Sequence, residues 1–310
     1  MRAKPKAKPR TQPRRRTPKF LAPRDQLYAH WAALHSALPA TLYHYSTAQG
    51  LLSMVKSGHI WATESRYMND PREFLHGAEL ILQIVERRLE KKASQVLFDL
   101  REAVRLHFEE KRQNLRIFAT SFCVNGDLLS QWRGYGDVGG GYALGFRPEL
   151  LLGSEPEARP PLRVLRRVLY DRAEQERIID EWLDAVDSTS KVPEGFWSAF
   201  SEAVVSFKDA AYAEEDEWRL IQFGRAWHGS RAWLHPVEFR ERKGRIIPYA
   251  DLDLSKSRGA YASKLPISEI VHGPTQDVER SGKALRLLAE ACGYSPEQLT
   301  LRHSQIPFTT

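Results

Sequence analysis

Short apolar runs alternate with longer helical repeats along residues 21–310, and this pattern predicts a chain of mixed helices and strands. Apolar residues recur at helical spacing from Asp25 to Leu38 and predict a helix that Pro39 ends. Residues 72–113 carry a longer repeat of the same kind, which predicts two amphipathic helices. Further helices are predicted near residues 173–187, 195–212 and 282–291.

The predicted strands are short and rich in aromatic and β-branched residues. They lie at residues 42–45, 60–63, 115–124, 141–146, 164–170, 217–223, 232–239, 245–249, 267–271 and 299–301. A helix capped by Ser46 or Thr47 and ended by Gly58 joins the first two strands. Because no repeat and no Pro/Gly/Ser-rich linker divides residues 21–310, we expect a single α+β domain with helical insertions in a strand-rich core.

Charge is distributed unevenly along the chain. The 310 residues carry a formal net charge of +7, but residues 1–20 hold nine of the 46 Lys and Arg side chains and no acid. Residues 21–310 therefore hold 37 bases against 39 acids, a net charge of −2. The first 20 residues are also proline-rich, which predicts a disordered basic tail. Arg14, Arg15 and Arg16 are candidate contacts to nucleic-acid phosphates, and a solvated extension is the simpler alternative.

Composition excludes several classes of protein. Two cysteines rule out a disulfide scaffold and a four-cysteine zinc site, and the ten histidines lack zinc-hydrolase spacing, so we predict no metal. Nucleophile-elbow, Walker and Rossmann motifs are absent from the sequence. No apolar run approaches the roughly 18–20 residues of a membrane span, and no secretory signal is present. A cytoplasmic protein without a membrane partner is therefore expected.

The first candidate site is His44-Tyr45-Ser46 at the end of a predicted strand. A histidine at this position can donate a hydrogen bond to a ribose hydroxyl, and the adjacent tyrosine offers a ring on which a planar base can stack. Alternate side chains of a strand point to opposite faces, so the alternative is that one of the two packs in the core.

The second candidate is the loop from Arg66 to Pro71, which includes Tyr67, Asn69 and Asp70. Its polar groups, together with the N–H donors of the helix that follows, could bind an anion. The structural alternative is a capping box in which Asp70 is the N-cap and Glu73 lies at N3.

The third candidate is a glycine-bounded loop over residues 127–141 that carries Gln131, Trp132, Arg133 and Tyr135. Loops held between strands concentrate binding residues, and glycines permit close approach of the backbone to a ligand. A mobile hairpin turn would explain the same glycines.

Four acids, residues 214–217, run directly into a predicted strand and form the fourth candidate. Glu217 is the best candidate for a carboxylate held at the strand start. Burial would raise its pKa, whereas Arg219 on the same face would lower it. A solvated acidic loop is the alternative.

Seven blocks, taken in order, resemble the bacterial family known as domain of unknown function 2971 (DUF2971). They span residues 42–308 and read LYHYSTAQGLLSMVKSGHIWAT, RYMNDPREF, ATSFC, DLLSQWRGYGDVGGGYALGF, EDEWRLI, ISEIVHGP and HSQIPF. The resemblance implies one domain over residues 21–310, and the family name carries no chemistry.

The strand with His44-Tyr45, the helix after it and Gly58 also resemble the first block of the ADP-ribosyltransferase superfamily, and in particular DarT-type toxins that modify DNA bases. This resemblance implies a split antiparallel β core and NAD⁺ as the substrate. His44 would hold the nicotinamide-side ribose, and Glu217 would be the catalytic glutamate at the ribose 2′-OH. Stacking on the nicotinamide would fall to Tyr45, Tyr67 or Tyr135.

The leading hypothesis on this resemblance is an NAD⁺-consuming mono-ADP-ribosyltransferase, a toxin or phage-defence effector that modifies a nucleic acid or a protein. A carboxylate near the ribose would stabilise the oxocarbenium-like transition state without a metal. Arginines 66, 133 and 219 could pair with the pyrophosphate. The predicted NAD-binding residues are His44, Tyr45, Ser46, Tyr67, Asn69, Asp70, Gln131, Arg133, Tyr135 and Arg219.

Two alternatives remain open on the sequence. One is an NAD glycohydrolase that uses the same site with water as the acceptor. The other is a non-catalytic module that binds a nucleotide or a nucleic acid on the same fold.

Overall fold

A computed structural model describes most of the chain after residue 36. The described residues are 37–68, 71–108, 116–136, 140–152, 163–189, 191–192, 194–224, 236–242, 244–255, 263–275 and 277–307. The predicted basic tail with Arg14, Arg15 and Arg16, nearly all of the predicted helix at 25–38, and the two loop residues Asn69 and Asp70 lie outside these ranges.

Strands and helices alternate through the described residues. The strands are β1 (Leu42–Ser46), β2 (His59–Glu64), β3 (Ile117–Cys123), β4 (Tyr142–Phe146), β5 (Arg163–Arg167), β6 (Glu217–Phe223), β7 (Glu238–Arg242), β8 (Arg245–Asp253), β9 (Ile267–His272) and β10 (Thr300–His303). The α-helices are α1 (Ala48–Ser57), α2 (Pro71–Lys91), α3 (Gln95–Phe108), α4 (Leu129–Tyr135), α5 (Pro148–Leu151), α6 (Arg172–Asp187), α7 (Glu194–Val204) and α8 (Val278–Ala291). The predicted α+β class is confirmed.

Strand β3 is the branch point of the sheet. Its partner on one edge is β6, which pairs with it antiparallel along its whole length, and β5 continues the sheet beyond β6. The other edge is shared, because β1 pairs with β3 at Cys123 whereas β2 pairs with it at Phe118 and Ala119. A strand has two edges, so β1 and β2 diverge and the sheet splits between them.

Each branch of the split sheet continues away from β3. The first runs β1-β4-β9-β10, and the second runs β2-β8-β7. Pairing between the named strands is antiparallel except for β9 with β10, which run parallel. The sheet is therefore mostly antiparallel, and its two branches enclose the space between β1 and β2.

The two largest hydrophobic clusters among the described residues support the sheet and the inserted helices. One lies on the sheet beneath α1 and α8 and includes Leu42, Phe118, Phe122 and Leu285. The other is formed mainly by α2, α3, α6 and α7, and it contains residues such as Ile81, Leu100, Trp182 and Phe200. The helical insertions thus bury their apolar stripes mainly on one another.

Local signals account for the ends of several elements. Thr47, one of the two predicted caps, accepts a hydrogen bond from the Gly50 amide (3.2 Å), and Gly58 ends α1 with φ of 74°. The predicted helix at 195–212 is wrong beyond Val204: the chain is extended near Phe207 and bridges Leu169, and a short 3-10 helix follows. The predicted strand at 232–239 is displaced to β7, while residues 225–235 lie outside the described ranges.

None of the helices in the described ranges combines the length and the apolar character needed to cross a bilayer.

Candidate functional site

A cavity of about 660 Å³ opens where β1 and β2 diverge from β3. We call this cavity the cleft. Residues from both branches, from β3, from β6 and from α4 line it. Those that carry the argument below are His44, Ser46, Trp61, Thr63, Ser121, Gln131, Arg133, Tyr135, Glu215, Glu217, Arg240 and Arg242. His44 and Glu217, the two residues predicted to meet on one sugar ring, line the same cleft.

His44 fills the split with its imidazole. Its Nδ1 lies 2.9 Å from the carbonyl oxygen of Ser121, which is positioned between the points where β1 and β2 leave β3. Burial lowers the pKa of His44, and the charge of Arg240 lowers it further, although the bond to Ser121 opposes the shift. A carbonyl can only accept, so Nδ1 carries the proton and Nε2 is an acceptor. His44 was predicted to donate to a ribose hydroxyl; its available nitrogen accepts instead.

Glu217 is a buried carboxylate held by cations at the first position of β6. Its Oε1 lies 2.6 Å from Nε of Arg219, and its Oε2 lies 2.9 Å from Nη2 of Arg219 and 3.1 Å from Nζ of Lys208. Burial alone would raise its pKa. The charges of Arg219 and Lys208, with hydrogen bonds from Arg219 and Ser121, outweigh burial and lower the pKa to about 2. Glu217 is therefore ionised at neutral pH and does not accept protons there.

Arg219 belongs to this ion pair. It is 2% exposed, and its Nη1 also donates to the carbonyl oxygen of Val205 at 2.7 Å. The prediction that Arg219 pairs with a pyrophosphate is therefore corrected, because its guanidinium is committed to the protein. Glu215, in the same acidic run, lies 2.8 Å from Nζ of Lys208, and it lines the cleft with a partly exposed carboxylate.

Tyr45 packs inside the protein. Its ring meets Trp132 edge-on with centroids 4.6 Å apart, and its hydroxyl donates to the carbonyl oxygen of Asn125 (2.8 Å) and accepts from the amide of Leu128 (3.0 Å). Burial raises the pKa of this hydroxyl. The predicted stacking role of Tyr45 is corrected, because these contacts hold the ring in place as a packing residue. Tyr45, although only 5% exposed, and Ser46 both line the cleft.

The predicted glycine-bounded loop contains a short helix, α4, and this corrects the loop prediction. Gln131 and Trp132 are buried, whereas Arg133 is exposed. A pair of apolar residues four apart, Leu128 and Trp132, starts the helix, since the Trp132 amide donates to the Leu128 carbonyl at 3.0 Å. α4 carries three of the predicted binding residues, Gln131, Arg133 and Tyr135, to the cleft wall.

Asp127 fastens α4 to the segment after β10. Its Oδ1 accepts from Trp132 Nε1 (2.8 Å) and from the Ser304 hydroxyl (2.5 Å), and its Oδ2 accepts from the Gln305 amide (2.7 Å). Burial opposes ionisation of Asp127, but these hydrogen bonds outweigh it and lower the pKa. The wall of the cleft that carries Gln131 and Arg133 is therefore held by a distant part of the chain.

The described residues of the second candidate loop are divided, because Met68 lines the cleft whereas Arg66 and Tyr67 do not. Tyr67 is 47% exposed in a 3-10 turn, and Arg66 pairs with buried Glu64 at 2.8 Å. Neither lines the cleft, so the predictions that Tyr67 stacks and that Arg66 binds a pyrophosphate are corrected. Asn69 and Asp70 lie outside the described ranges.

Trp61 and Arg240 are among the cleft residues that sequence reasoning missed. Trp61 on β2 is 39% exposed and lies 4.8 Å from the ring of Tyr249. The alternation of side chains along β2 could have indicated Trp61. Ile60 and Ala62 are fully buried, so Trp61 between them lies on the opposite face of the strand. Arg240 on β7 gave no such signal, since the predicted strand ended one residue earlier.

Within the described part of the chain, no three His, Cys, Asp or Glu side chains are grouped to hold a metal ion.

The family model described as "Protein of unknown function (DUF2971)" matches residues 131–220. The chain resembles DUF2971 over this stretch. The matched residues run from α4 to β6 and include Gln131, Glu217 and Arg219, so the match supports the family resemblance seen in the sequence blocks. Neither the curated proteins nor the solved structures contain a match, and the ADP-ribosyltransferase resemblance receives no support from them.

Proposed function

We propose that the cleft binds NAD⁺ and that the protein transfers the ADP-ribose group of NAD⁺ to an acceptor. One observation carries the proposal: Ser121 accepts a hydrogen bond from His44 through its carbonyl and bonds to Glu217 through its side chain. An uncharged acceptor and a buried anion are thereby fixed on either side of one residue. The cleft volume of about 660 Å³ lies within the roughly 300–1,000 Å³ of small-molecule sites.

Two uncharged groups would position the ligand. Nε2 of His44 would accept a hydrogen bond from a ribose hydroxyl, since its Nδ1 proton is already donated to Ser121. The exposed indole of Trp61 offers a face on which a nicotinamide or adenine ring can stack. In this proposal Trp61 would take the stacking role that the resemblance gave to Tyr45, Tyr67 or Tyr135.

In the proposed reaction the bond between nicotinamide and C1′ of the ribose breaks, and its electron pair leaves with neutral nicotinamide. The acceptor then forms a bond to C1′ and loses a proton. Glu217, held ionised by Arg219 and Lys208, would stabilise the positive charge that develops on the ribose. Its pKa of about 2 makes it too weak a base for the acceptor proton, which would pass to water or to Glu215.

A second candidate function, the non-catalytic nucleotide-binding module, is favoured by one observation. Both carboxylate oxygens of Glu217 are bound by cations of the protein itself. In that function Glu217 supports the wall of the cleft, and the same ligand contacts serve binding alone. For either function the acceptor or partner is proposed to be a nucleic acid or a protein, with the basic residues 1–20 steering a nucleic acid by charge.

The test is to incubate the full chain with NAD⁺ radiolabelled in its adenylate phosphate, together with DNA, RNA or a protein extract. Label on a macromolecule is expected for the transferase. Free ADP-ribose without transfer identifies a glycohydrolase, and binding without turnover identifies the binding module. A chain that neither binds nor consumes NAD⁺ overturns the proposal.

The variant His44→Asn keeps a donor for the Ser121 carbonyl but removes the acceptor at Nε2. We expect it to lower turnover at least about tenfold. His303→Asn, on an exposed position of β10, is the matched control and is expected to retain full turnover.

A further inference from the structure

Arg240 reaches from β7 onto the β2 wall of the cleft. Its Nη2 donates to the hydroxyl of Thr63 at 2.7 Å, and its guanidinium carbon lies 5.3 Å from the ring centroid of Trp61 and 5.6 Å from that of Tyr249. A guanidinium above two aromatic rings is held in a fixed orientation without an opposite charge. The side chain is therefore placed before any ligand arrives.

The charge of Arg240 is not matched by any carboxylate among the described residues. The Nε of Arg240 is buried and has no hydrogen-bond partner among the described residues. Burial lowers the pKa of the Arg240 guanidinium, and the charge of Arg242 lowers it further. Two other partly or fully buried arginines differ: Arg219 is paired with Glu217, and Arg166 with Glu202. Partial burial of a charge without a partner disfavours folding, so a site that keeps such a charge is suited to an anionic ligand.

Two groups of charged residues line the cleft. Glu217 and Glu215 contact Arg219 and Lys208. On β7, Arg240 and Arg242 line the cleft together with Glu241, and exposed Arg133 of α4 also lines it. Because Glu217 is already paired and Arg240 has no carboxylate partner in the described part of the chain, an anion in the cleft is attracted to Arg240.

We propose that Arg240 is the phosphate-recognition residue of the cleft, and that its ligand carries a phosphate or pyrophosphate beside the Trp61 ring. The fork of guanidinium N–H groups donates to phosphate oxygens, and Thr63 sets the orientation of the fork. The inference rests on the proposed function in taking the cleft as the ligand site. It replaces Arg66 and Arg219 as the predicted pyrophosphate contacts.

The test compares calorimetric titrations of the wild-type chain and Arg240→Gln with three probes: inorganic pyrophosphate, ADP-ribose and adenosine. We expect Arg240→Gln to weaken binding of pyrophosphate and ADP-ribose at least about tenfold, because a charged hydrogen-bond donor is lost, and to leave adenosine binding within about twofold. Arg147→Gln removes an exposed arginine outside the cleft and is expected to bind all three like the wild type.

Unchanged binding of pyrophosphate and ADP-ribose by Arg240→Gln overturns the proposal, as does a wild-type chain that binds neither. If Arg240→Gln fails to fold, Arg240→Lys decides, since it keeps the charge without the planar fork. A loss of pyrophosphate affinity of at least about threefold then supports the proposal, and an unchanged affinity overturns it.

The phosphate site and the proposed function can fail separately. Arg240-dependent binding of pyrophosphate by a chain that neither binds nor consumes NAD⁺ supports the site and overturns the proposed function. NAD⁺ turnover with unchanged ADP-ribose binding by Arg240→Gln overturns the site and supports the function.

Discussion

His44 and Glu217 lie 173 positions apart in the chain and are joined through one residue, Ser121. The Ser121 carbonyl accepts from Nδ1 of His44 at 2.9 Å, while its side chain hydrogen-bonds to Glu217. In an unsplit sheet a neighbouring strand would satisfy that carbonyl. Here an imidazole does so, and the strands on either side of it separate to form the cleft.

The imidazole of His44 should make the protein sensitive to mild acid. The folded-state pKa of His44 is lowered below 6.5, so its contribution to the free energy of unfolding is present above pH 6.5 and is lost as the pH falls below that value. His272 behaves in the same direction and adds to the effect. Urea unfolding at pH 7, 6 and 5 should show a decline in stability that is shallower in His44→Asn. A decline of equal steepness in that variant would contradict the assignment.

Removing the Glu217 charge should destabilise the fold. Glu217→Gln leaves buried Arg219 without its carboxylate and removes one of the two carboxylates that Lys208 contacts, and we expect a loss of roughly 3–5 kcal/mol in the free energy of unfolding. Glu149→Gln, at an exposed ion pair, should change stability by less than about 0.5 kcal/mol. Denaturant titration of both variants measures the difference, and a cost below about 1 kcal/mol for Glu217→Gln would show that the ion pair is not formed.

Glu217 also predicts a loss of stability in strong acid. Its folded-state pKa of about 2 lies below the ordinary 4.5, so its contribution is complete above pH 4.5 and is lost as the pH falls from 4.5 towards 2. Between pH 4.5 and pH 2 the melting temperature should fall more steeply with decreasing pH for the wild type than for Glu217→Gln. Parallel curves would place the titrating group elsewhere.

The exposed indole of Trp61 should matter for ligand affinity more than for folding. We expect Trp61→Ala to weaken ADP-ribose binding about tenfold, since stacking on a base contributes roughly 1–3 kcal/mol. Trp182→Ala, in the helical core, should instead cost roughly 3–5 kcal/mol of stability. Titrations and melts on both variants separate the two effects. An unchanged affinity in Trp61→Ala would shift the stacking role to another aromatic of the cleft, such as Tyr135.

The basic residues 1–20 should govern nucleic-acid retention. A chain lacking them loses nine positive charges and is expected to bind DNA or RNA more weakly at low salt, with a smaller dependence on salt concentration. Filter binding at two salt concentrations measures this. Equal retention by the full and shortened chains would assign nucleic-acid binding, if any, to the folded part.

Local patterns were sufficient for much of the fold. The bounds of β6 match the predicted strand, because Trp218, Leu220, Ile221 and Phe223 favour a strand even though the polar residues Glu217, Arg219 and Gln222 interrupt them. α6 lies within one residue of its prediction, since its apolar stripe is regular and Asp171 caps it through the Glu174 amide. The glycines around α4 favoured a loop prediction over a helix, and the local sequence could not show that Asp127 anchors α4 to Ser304 and Gln305, which come much later in the chain.

The site was less accessible to sequence reasoning than the fold. His44 and Glu217 could be proposed from their places near the ends of predicted strands, although His44 is the middle residue of β1, but the sequence could not show that Ser121 joins them. The sequence also cannot distinguish a tyrosine that packs in the core from one that faces a ligand, and only the contact with Trp132 shows that Tyr45 is a packing residue. Arg240 could not be predicted from the sequence, because its place in the cleft depends on contacts with the rings of Trp61 and Tyr249 and with the hydroxyl of Thr63.

The attachment of α4 by Asp127 bears on how this protein is made. Ser304 and Gln305 supply two of the three hydrogen bonds that Asp127 accepts, and they follow it by about 177 positions. A ribosome must have translated past residue 305, and released that segment from its exit tunnel, before these bonds can form. During synthesis the wall bearing Gln131 and Arg133 lacks this anchor, so the nascent chain is expected to acquire ligand affinity late.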